Sequence, residues 1–273
     1  MKRLAFAFLL WLAACARAPD NVLEAYGEAD YIYLASQESG VISTVAVREG
    51  QAVESGALVF TLEPQRLLYT AESASASRAA LVQAVRAAEA DARLAERNFA
   101  RSAELARQGF ASAAQVDADR AARDAANAQL DQARRQLSAG SADTGLARQR
   151  LADLTVEAPL AGTIERIYRR EGEVVAAGAP VAALLTPANM KVRFYAPQAL
   201  LSRVPVGAEV QLSCDGCASG LTGRIIRVAT EPQFTPPIIY SLEQHDKLVF
   251  LVEARPNRPE AIHPGQPVRV RLP

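Results

Sequence analysis

One stretch of this chain occurs twice. Gly40-Val41-Ile42, Arg48-Glu49-Gly50, Val53, Gly56-Ala57, Val59 and Leu62 return as Gly162-Thr163-Ile164, Arg170-Glu171-Gly172, Val175, Gly178-Ala179, Val181 and Leu184. The offset is 122 residues at every matched position, so no gap is needed to align the copies. Within each copy apolar residues alternate, as at Val41, Val45 and Val47, which spells short strands. Gly40, Gly50 and Gly56, with their counterparts Gly162, Gly172 and Gly178, are expected at the positive-φ turns between those strands. Neither copy has enough strands to cover its own apolar face. The two must therefore pack on each other, and one sandwich is expected from residues 35–63 and 154–189.

The repeat resembles the biotinyl/lipoyl domain, whose two pseudo-symmetric halves each carry the Gly-Val-Ile, Arg-Glu-Gly, Val and Gly-Ala pattern quoted above. In carrier members of that family a lysine on the turn between the halves takes the cofactor. Here no lysine lies between Lys2 and Lys191, so a carrier function is excluded and no cofactor is expected. In place of the turn stand about ninety residues, 64–153.

That insertion is roughly one-third alanine and holds no proline between Pro64 and Pro159, which reads as long helix. Leu81, Val85, Ala88, Ala92, Ala95, Phe99, Ser102 and Ala106 step by four and three alternately, the spacing of a coiled-coil seam. Val116, Arg123, Leu130, Leu137, Thr144 and Leu151 step by sevens. A loosened or kinked turn is expected at Ser138-Ala139-Gly140-Ser141. Gly109 suits the cap of a first helix, and Ser112-Ala-Ala-Gln115 is a capping box for a second. Two arms of about forty residues each reach ~60 Å and bring the chain back to the sandwich.

A split lipoyl sandwich with a helical hairpin between its halves resembles the periplasmic adaptor (membrane fusion) proteins of the HlyD-like type. The resemblance implies a non-enzymatic adaptor that joins an inner-membrane exporter to a TolC-like outer-membrane channel, working as a ring of copies. That family engages the channel through an Arg-x₃-Leu-x₆-Ser pattern at the hairpin tip. Arg101, Leu105 and Ser112 match it across the expected turn, with Gln108 and Phe110 as further candidates. A competing function from another class is a structural envelope lipoprotein whose coiled coil is only a spacer; the split sandwich at its base argues against this.

Residues 190–273 read as strand after strand, with turns at Pro205-Val-Gly207, Asp215-Gly216 and Pro264-Gly265 and a short helix near Gln198–Ser202. A small antiparallel barrel is expected, joined by Tyr31-Ile-Tyr-Leu34 as its first strand. The expected class is thus α+β: a split lipoyl-like sandwich, an inserted helical hairpin and a C-terminal barrel. The segment Phe234-Thr-Pro-Pro-Ile-Ile-Tyr-Ser241, followed by Lys247, resembles adaptors of ABC-type exporters. Adaptors of resistance-nodulation-division (RND) pumps usually add a further domain after the barrel, so an ABC-type exporter is the expected partner in preference to an RND pump.

The N-terminus names a compartment. Lys2 and Arg3 precede an apolar run, Leu4 to Ala14, of ~16 Å as a helix against roughly 30 Å of hydrocarbon, which suits an export signal over residues 1–14 better than a span. Leu12-Ala-Ala-Cys15 resembles the bacterial lipobox and implies a lipid on Cys15, with the mature protein in the periplasm, anchored by preference at the inner membrane. In an oxidising compartment the remaining pair, Cys214 and Cys217, reads first as a structural disulfide around the Asp215-Gly216 turn. Free thiols, a redox pair and half of a zinc site are the competing readings. Thirty Lys plus Arg balance thirty Asp plus Glu, so the electrostatic footprint of a nucleic-acid binder is missing. With two histidines, neither a metal site nor histidine-based catalysis is expected.

Overall fold

The apolar alternation of the repeat and the helical run between its copies reappear in a computed structural model that describes residues 21–233 and 248–273. The strands before the insertion are β1 (Val22–Ala29), β2 (Ile32–Leu34), β3 (Gly40–Val45), β4 (Ala52–Val53) and β5 (Leu58–Leu62). Helices α1 (Gln65–Arg107) and α2 (Ala113–Ala152) follow. Then come β6 (Thr155–Glu157), β7 (Gly162–Ile167), β8 (Val174–Val175) and β9 (Ala182–Leu185). The last strands are β10 (Met190–Pro197), β11 (Glu209–Ser213), β12 (Leu221–Val228), β13 (Val249–Pro256) and β14 (Pro267–Arg271). The described residues divide into two units, one of residues 21–32, 161–163, 184–233 and 248–273, the other of residues 33–160 and 164–183.

The sandwich consists of two four-stranded sheets, in the orders β2-β9-β7-β4 and β6-β5-β3-β8, so each sheet takes strands from both copies of the repeat. The exchange is reciprocal. Ile42 N–H donates to Glu173 C=O and Ile164 N–H to Gln51 C=O, both at 2.9 Å, and 51 and 173 are again 122 apart. Gly172 N–H donates to Ile42 C=O and Gly50 N–H to Ile164 C=O in the same manner. The Glu of each Arg-Glu-Gly takes part as well: Glu171 Oε1 accepts from Val45 N–H and Glu49 Oε1 from Ile167 N–H, both at 2.8 Å. Ile42, Val59, Phe60, Leu62, Ile164 and Val181 are buried between the sheets.

The seam read from the α1 sequence is the face that the hairpin covers. Val85, Ala92 and Ser102 are buried there, and the other five seam positions are partly covered. Small residues let the arms approach, and Phe99 lies 4.4 Å beneath the Arg123 guanidinium of the other arm. The expected kink near 138–141 is absent, because α2 runs unbroken through all 40 of its residues. Gly140 sits against Leu81: a Cβ there would meet Leu81 Cδ1 at 2.5 Å. Thr144 Oγ1 donates within α2 to Gly140 C=O at 2.8 Å and lies 3.2 Å from Ala74 C=O of α1. The small, polar stretch is a packing notch for the facing helix, and interhelical contact outweighs the local propensity that suggested a break.

The other unit holds a closed barrel of order β1-β10-β13-β12-β11-β14, every pairing antiparallel. Val192, Phe194, Val210, Ile225, Val252, Val268 and Val270 fill it. The expected first barrel strand at Tyr31–Leu34 is corrected: the barrel takes Val22–Ala29, whose Ala25 faces inward, and Ile32–Leu34 belongs to the sandwich, where Leu34 is buried. A three-residue strand cannot span a barrel wall that its neighbours cross in five to eight residues. The short helix is a 3-10 turn, Gln198–Arg203.

Candidate partner-binding site at the hairpin tip

α1 ends because Gly109 reverses the chain at φ +83°, a conformation that L side chains rarely adopt. Phe110 N–H then reaches back to Leu105 C=O at 2.7 Å and Gly109 N–H to Ala106 C=O at 3.0 Å, satisfying carbonyls that a helix end leaves open. Ser112 is extended, and its Oγ accepts from Gln115 N–H at 3.2 Å to start α2. Only half of the capping box forms, since the Gln115 amide donates along the helix to Asp119 instead.

This turn has a defined chemical face. Arg101 and Leu105 are one helical turn apart on α1, both exposed, and Arg101 has no ion-pair partner among the described residues. Leu105 is 39 % exposed and Phe110 78 %, more than any other large apolar side chain described. Glu104 is occupied by Arg107 and by the Gln108 amide, so the acidic group nearest Arg101 in the last turn is already paired. The tip offers a free guanidinium, two apolar side chains and the Ser112 hydroxyl, a set suited to a protein surface rather than to a small molecule. Phe110 was a secondary candidate in the sequence, and its exposure follows from the reversal at Gly109, which turns the next side chain outward.

A family model described as RND MFP, barrel-sandwich hybrid domain, matches residues 31–187, more than half of the chain. The chain belongs to the membrane fusion protein family of periplasmic adaptors. It is 26 % identical over 298 residues to the "UPF0194 membrane protein in asrC 5'region" of Acidithiobacillus ferridurans, covering 94 % of this chain and 88 % of that one. It is 30 % identical over 219 residues to the multidrug resistance protein MdtN of Escherichia coli O6:H1, across 66 % of this chain and 63 % of that one. Its fold is similar to that of MacA from Actinobacillus actinomycetemcomitans, with a TM-score of 0.76, 16 % identity, and coverage of 92 % and 78 %. It is similar also to the membrane fusion protein Spr0693 from Streptococcus pneumoniae R6, with a TM-score of 0.59, 18 % identity, and coverage of 92 % and 98 %.

Elsewhere in this membrane fusion protein, Gly50, Gly56, Gly172 and Gly178 lie at positive φ. Gly40 and Gly162 do not: they open β3 and β7 in extended conformation, and this part of the turn assignment is corrected. At Gly162 the reason is space, because a Cβ would lie 2.3 Å from Leu185 C=O; at Gly40 the nearest atom is an ordinary 3.6 Å away. Cys214 and Cys217 are joined by a disulfide, with Cα atoms 5.3 Å apart. Cys15 and the segment from Phe234 to Lys247 lie outside the described residues. Among the described residues no cluster of three or more His, Cys, Asp or Glu could hold a metal ion, and no helix is long and apolar enough to cross a membrane.

A charged lattice on the barrel wall escaped the sequence reading. Glu253 is only 4 % exposed, with Arg193 Nη2 at 3.1 Å, Lys191 Nζ at 3.2 Å and Arg227 Nη1 at 3.5 Å. Burial works against its charge, but hydrogen bonds from Arg193 and Lys191 outweigh it and hold the carboxyl below its usual range. The only hint in the sequence was an acidic residue inside the apolar run of β13.

Proposed function

We propose that this protein is the periplasmic adaptor of a tripartite export system, coupling an inner-membrane exporter of ABC type to a TolC-like outer-membrane channel. The observation that carries the reading is the tip: a two-arm finger of 43 and 40 residues ends in exposed Leu105 and Phe110 beside Ser112, with an exposed Arg101 that has no ion-pair partner among the described residues. A spacer needs no apolar side chains at its far turn, whereas a docking finger does. Several adaptors would assemble as a ring, so that one weak contact per tip is multiplied. Cys15 would carry the lipid that holds the base of the assembly at the inner membrane. Support for ABC over RND comes from the 234–247 segment, while the matching family model carries RND in its description. The cargo would be selected by the exporter, with this chain serving efflux or secretion without catalysis.

A photo-crosslinking residue placed at position 105 or 110 in cells tests the reading. Adducts with an outer-membrane channel are the expected result. Adducts only with copies of this chain, or none, would overturn the tip assignment. Recovery of the exporter with the adaptor, and sequencing of the recovered subunits, distinguishes ABC from RND.

A further inference from the structure

One end of the barrel combines three features not used by the hairpin or the sandwich. At this end Asn21 C=O accepts from Leu272 N–H at 2.9 Å, Arg203 donates to Asn21 Oδ1 at 2.6 Å and also to the Pro273 carbonyl, and Val22 pairs with Arg271. The Pro205-Val-Gly207 turn is held to the same end, with Gly207 N–H on Ile225 C=O at 2.8 Å. Gln198 N–H reaches Leu248 C=O at 3.4 Å, which brings in the 3-10 turn and the start of β13.

The first feature is apolar exposure. Among the described residues this unit has four exposed large apolar side chains, and three of them, Val206 at 65 %, Leu248 at 42 % and Ile226 at 37 %, are at this end. The second is charge. Arg224 and Arg271 are exposed here and neither has an ion-pair partner among the described residues; Arg224 only donates to Gly207 C=O at 3.4 Å, with Glu209 opposite it in the strand pairing. The third is reach. Asn21 is six residues after Cys15, and a fully extended chain of that length spans at most about 20 Å.

We propose that this barrel end rests on the lipid headgroup surface, with Val206, Ile226 and Leu248 at the interface and Arg224 and Arg271 on anionic headgroups. The proposal rests on the lipid reading of Cys15, because the short tether is what brings the bilayer to this end. Exposed apolar side chains with two unpaired arginines at the same end are a composition that interfacial binding favours, each cation near an anionic leaflet strengthening association about fivefold, while Glu209 opposite Arg224 offsets part of that gain. The other end of the barrel, where Asp30, the Cys214–Cys217 turn and Pro259–Ala261 lie, has none of the three exposed apolar side chains.

The test uses the full-length lipidated protein in vesicles of phosphatidylethanolamine and phosphatidylglycerol. An environment-sensitive fluorophore is placed on Val206→Cys or, at the opposite end, on Arg258→Cys, and headgroup-labelled quencher lipid is added. Several-fold stronger quenching at 206 than at 258 is expected, reduced in the Arg224→Glu/Arg271→Glu variant. Equal quenching at both sites, with mass spectrometry showing a lipidated Cys15, would overturn the docking proposal alone. An unmodified Cys15 in membrane-expressed protein would overturn the anchor reading and this proposal with it. In cells, a photo-crosslinker at 206 should give lipid adducts; adducts with an exporter subunit instead would show that a protein occupies this surface and would reject the lipid assignment.

Discussion

Leu105 is a surface leucine within a turn of a helix end, and water and the proposed channel contact make opposite predictions for one substitution there. In the isolated protein Leu105→Asp should change stability by only about half a kcal/mol, as for other exposed helix positions away from caps. Against a channel surface shaped for leucine, the buried carboxylate should cost about 2 kcal/mol or more, roughly thirtyfold in affinity per site. Cellular export assays should therefore show loss of function while thermal unfolding of the purified protein stays close to the wild type. Glu253 behaves in the opposite way, since its value lies in the fold. Glu253→Gln leaves Lys191 and Arg193 without their shared anion, and removing one partner of a buried ionic cluster costs about 3 kcal/mol. Because the folded carboxyl sits below its usual range, its contribution is complete above the ordinary carboxylate range and is lost as pH falls through the folded value. Urea midpoints should separate wild type from Glu253→Gln most at neutral pH and converge in acid.

At the scale of elements, the hairpin and the sandwich hold together by different means. The sandwich depends on exchanged backbone bonds between two half-motifs, with Glu49 and Glu171 each capping a strand of the other copy. The hairpin depends on close approach, as where Gly140 faces Leu81 with no room for a Cβ. Gly140→Leu should force the arms apart there and destabilise the hairpin by about 1–3 kcal/mol, the usual cost of overpacking. Leu81→Ala in the same chain should restore much of that loss, because the space it vacates is what the new side chain needs. Circular dichroism melts of the single and double variants are the check; a Gly140→Leu variant with the wild-type melt would show that the notch is not tight.

For the whole molecule, the compartment decides which chemistry is available. Cys15→Ser should move the protein from the membrane fraction to the soluble or unprocessed pool and abolish palmitate labelling; unchanged labelling would reject the lipidation. In protein taken from the same compartment, Cys214 and Cys217 should resist alkylation until a reductant is added, since an oxidising environment preserves the bond that joins them in the structure.

The order of the architecture was legible because it rests on periodicity. A gapless repeat 122 residues apart demands that two distant pieces share one core, and seam spacing identifies the buried face of a helix whatever it packs on. Turn glycines at Gly50 and Gly172 were legible for a local reason, the positive φ that other residues avoid. Properties that depend on what lies opposite were not legible. Gly140 read as a weak point because its own helix gains nothing from it; only Leu81, 59 positions earlier, makes it a contact. Gly162 read as a turn and proved to be a close approach to Leu185 C=O. Tyr31–Leu34 reads as the first barrel strand although Val22–Ala29 fills that place, because a single strand's alternation says which face is apolar but not which sheet will cover it. Likewise Glu253 is a lone acid in an apolar run until β10 and β12 bring Lys191, Arg193 and Arg227 around it. Sequence alone determined the elements and their periodic faces, which are set by local backbone chemistry. The tertiary structure decided the partners of those faces, because a contact energy exists only once two distant parts of the chain are brought together.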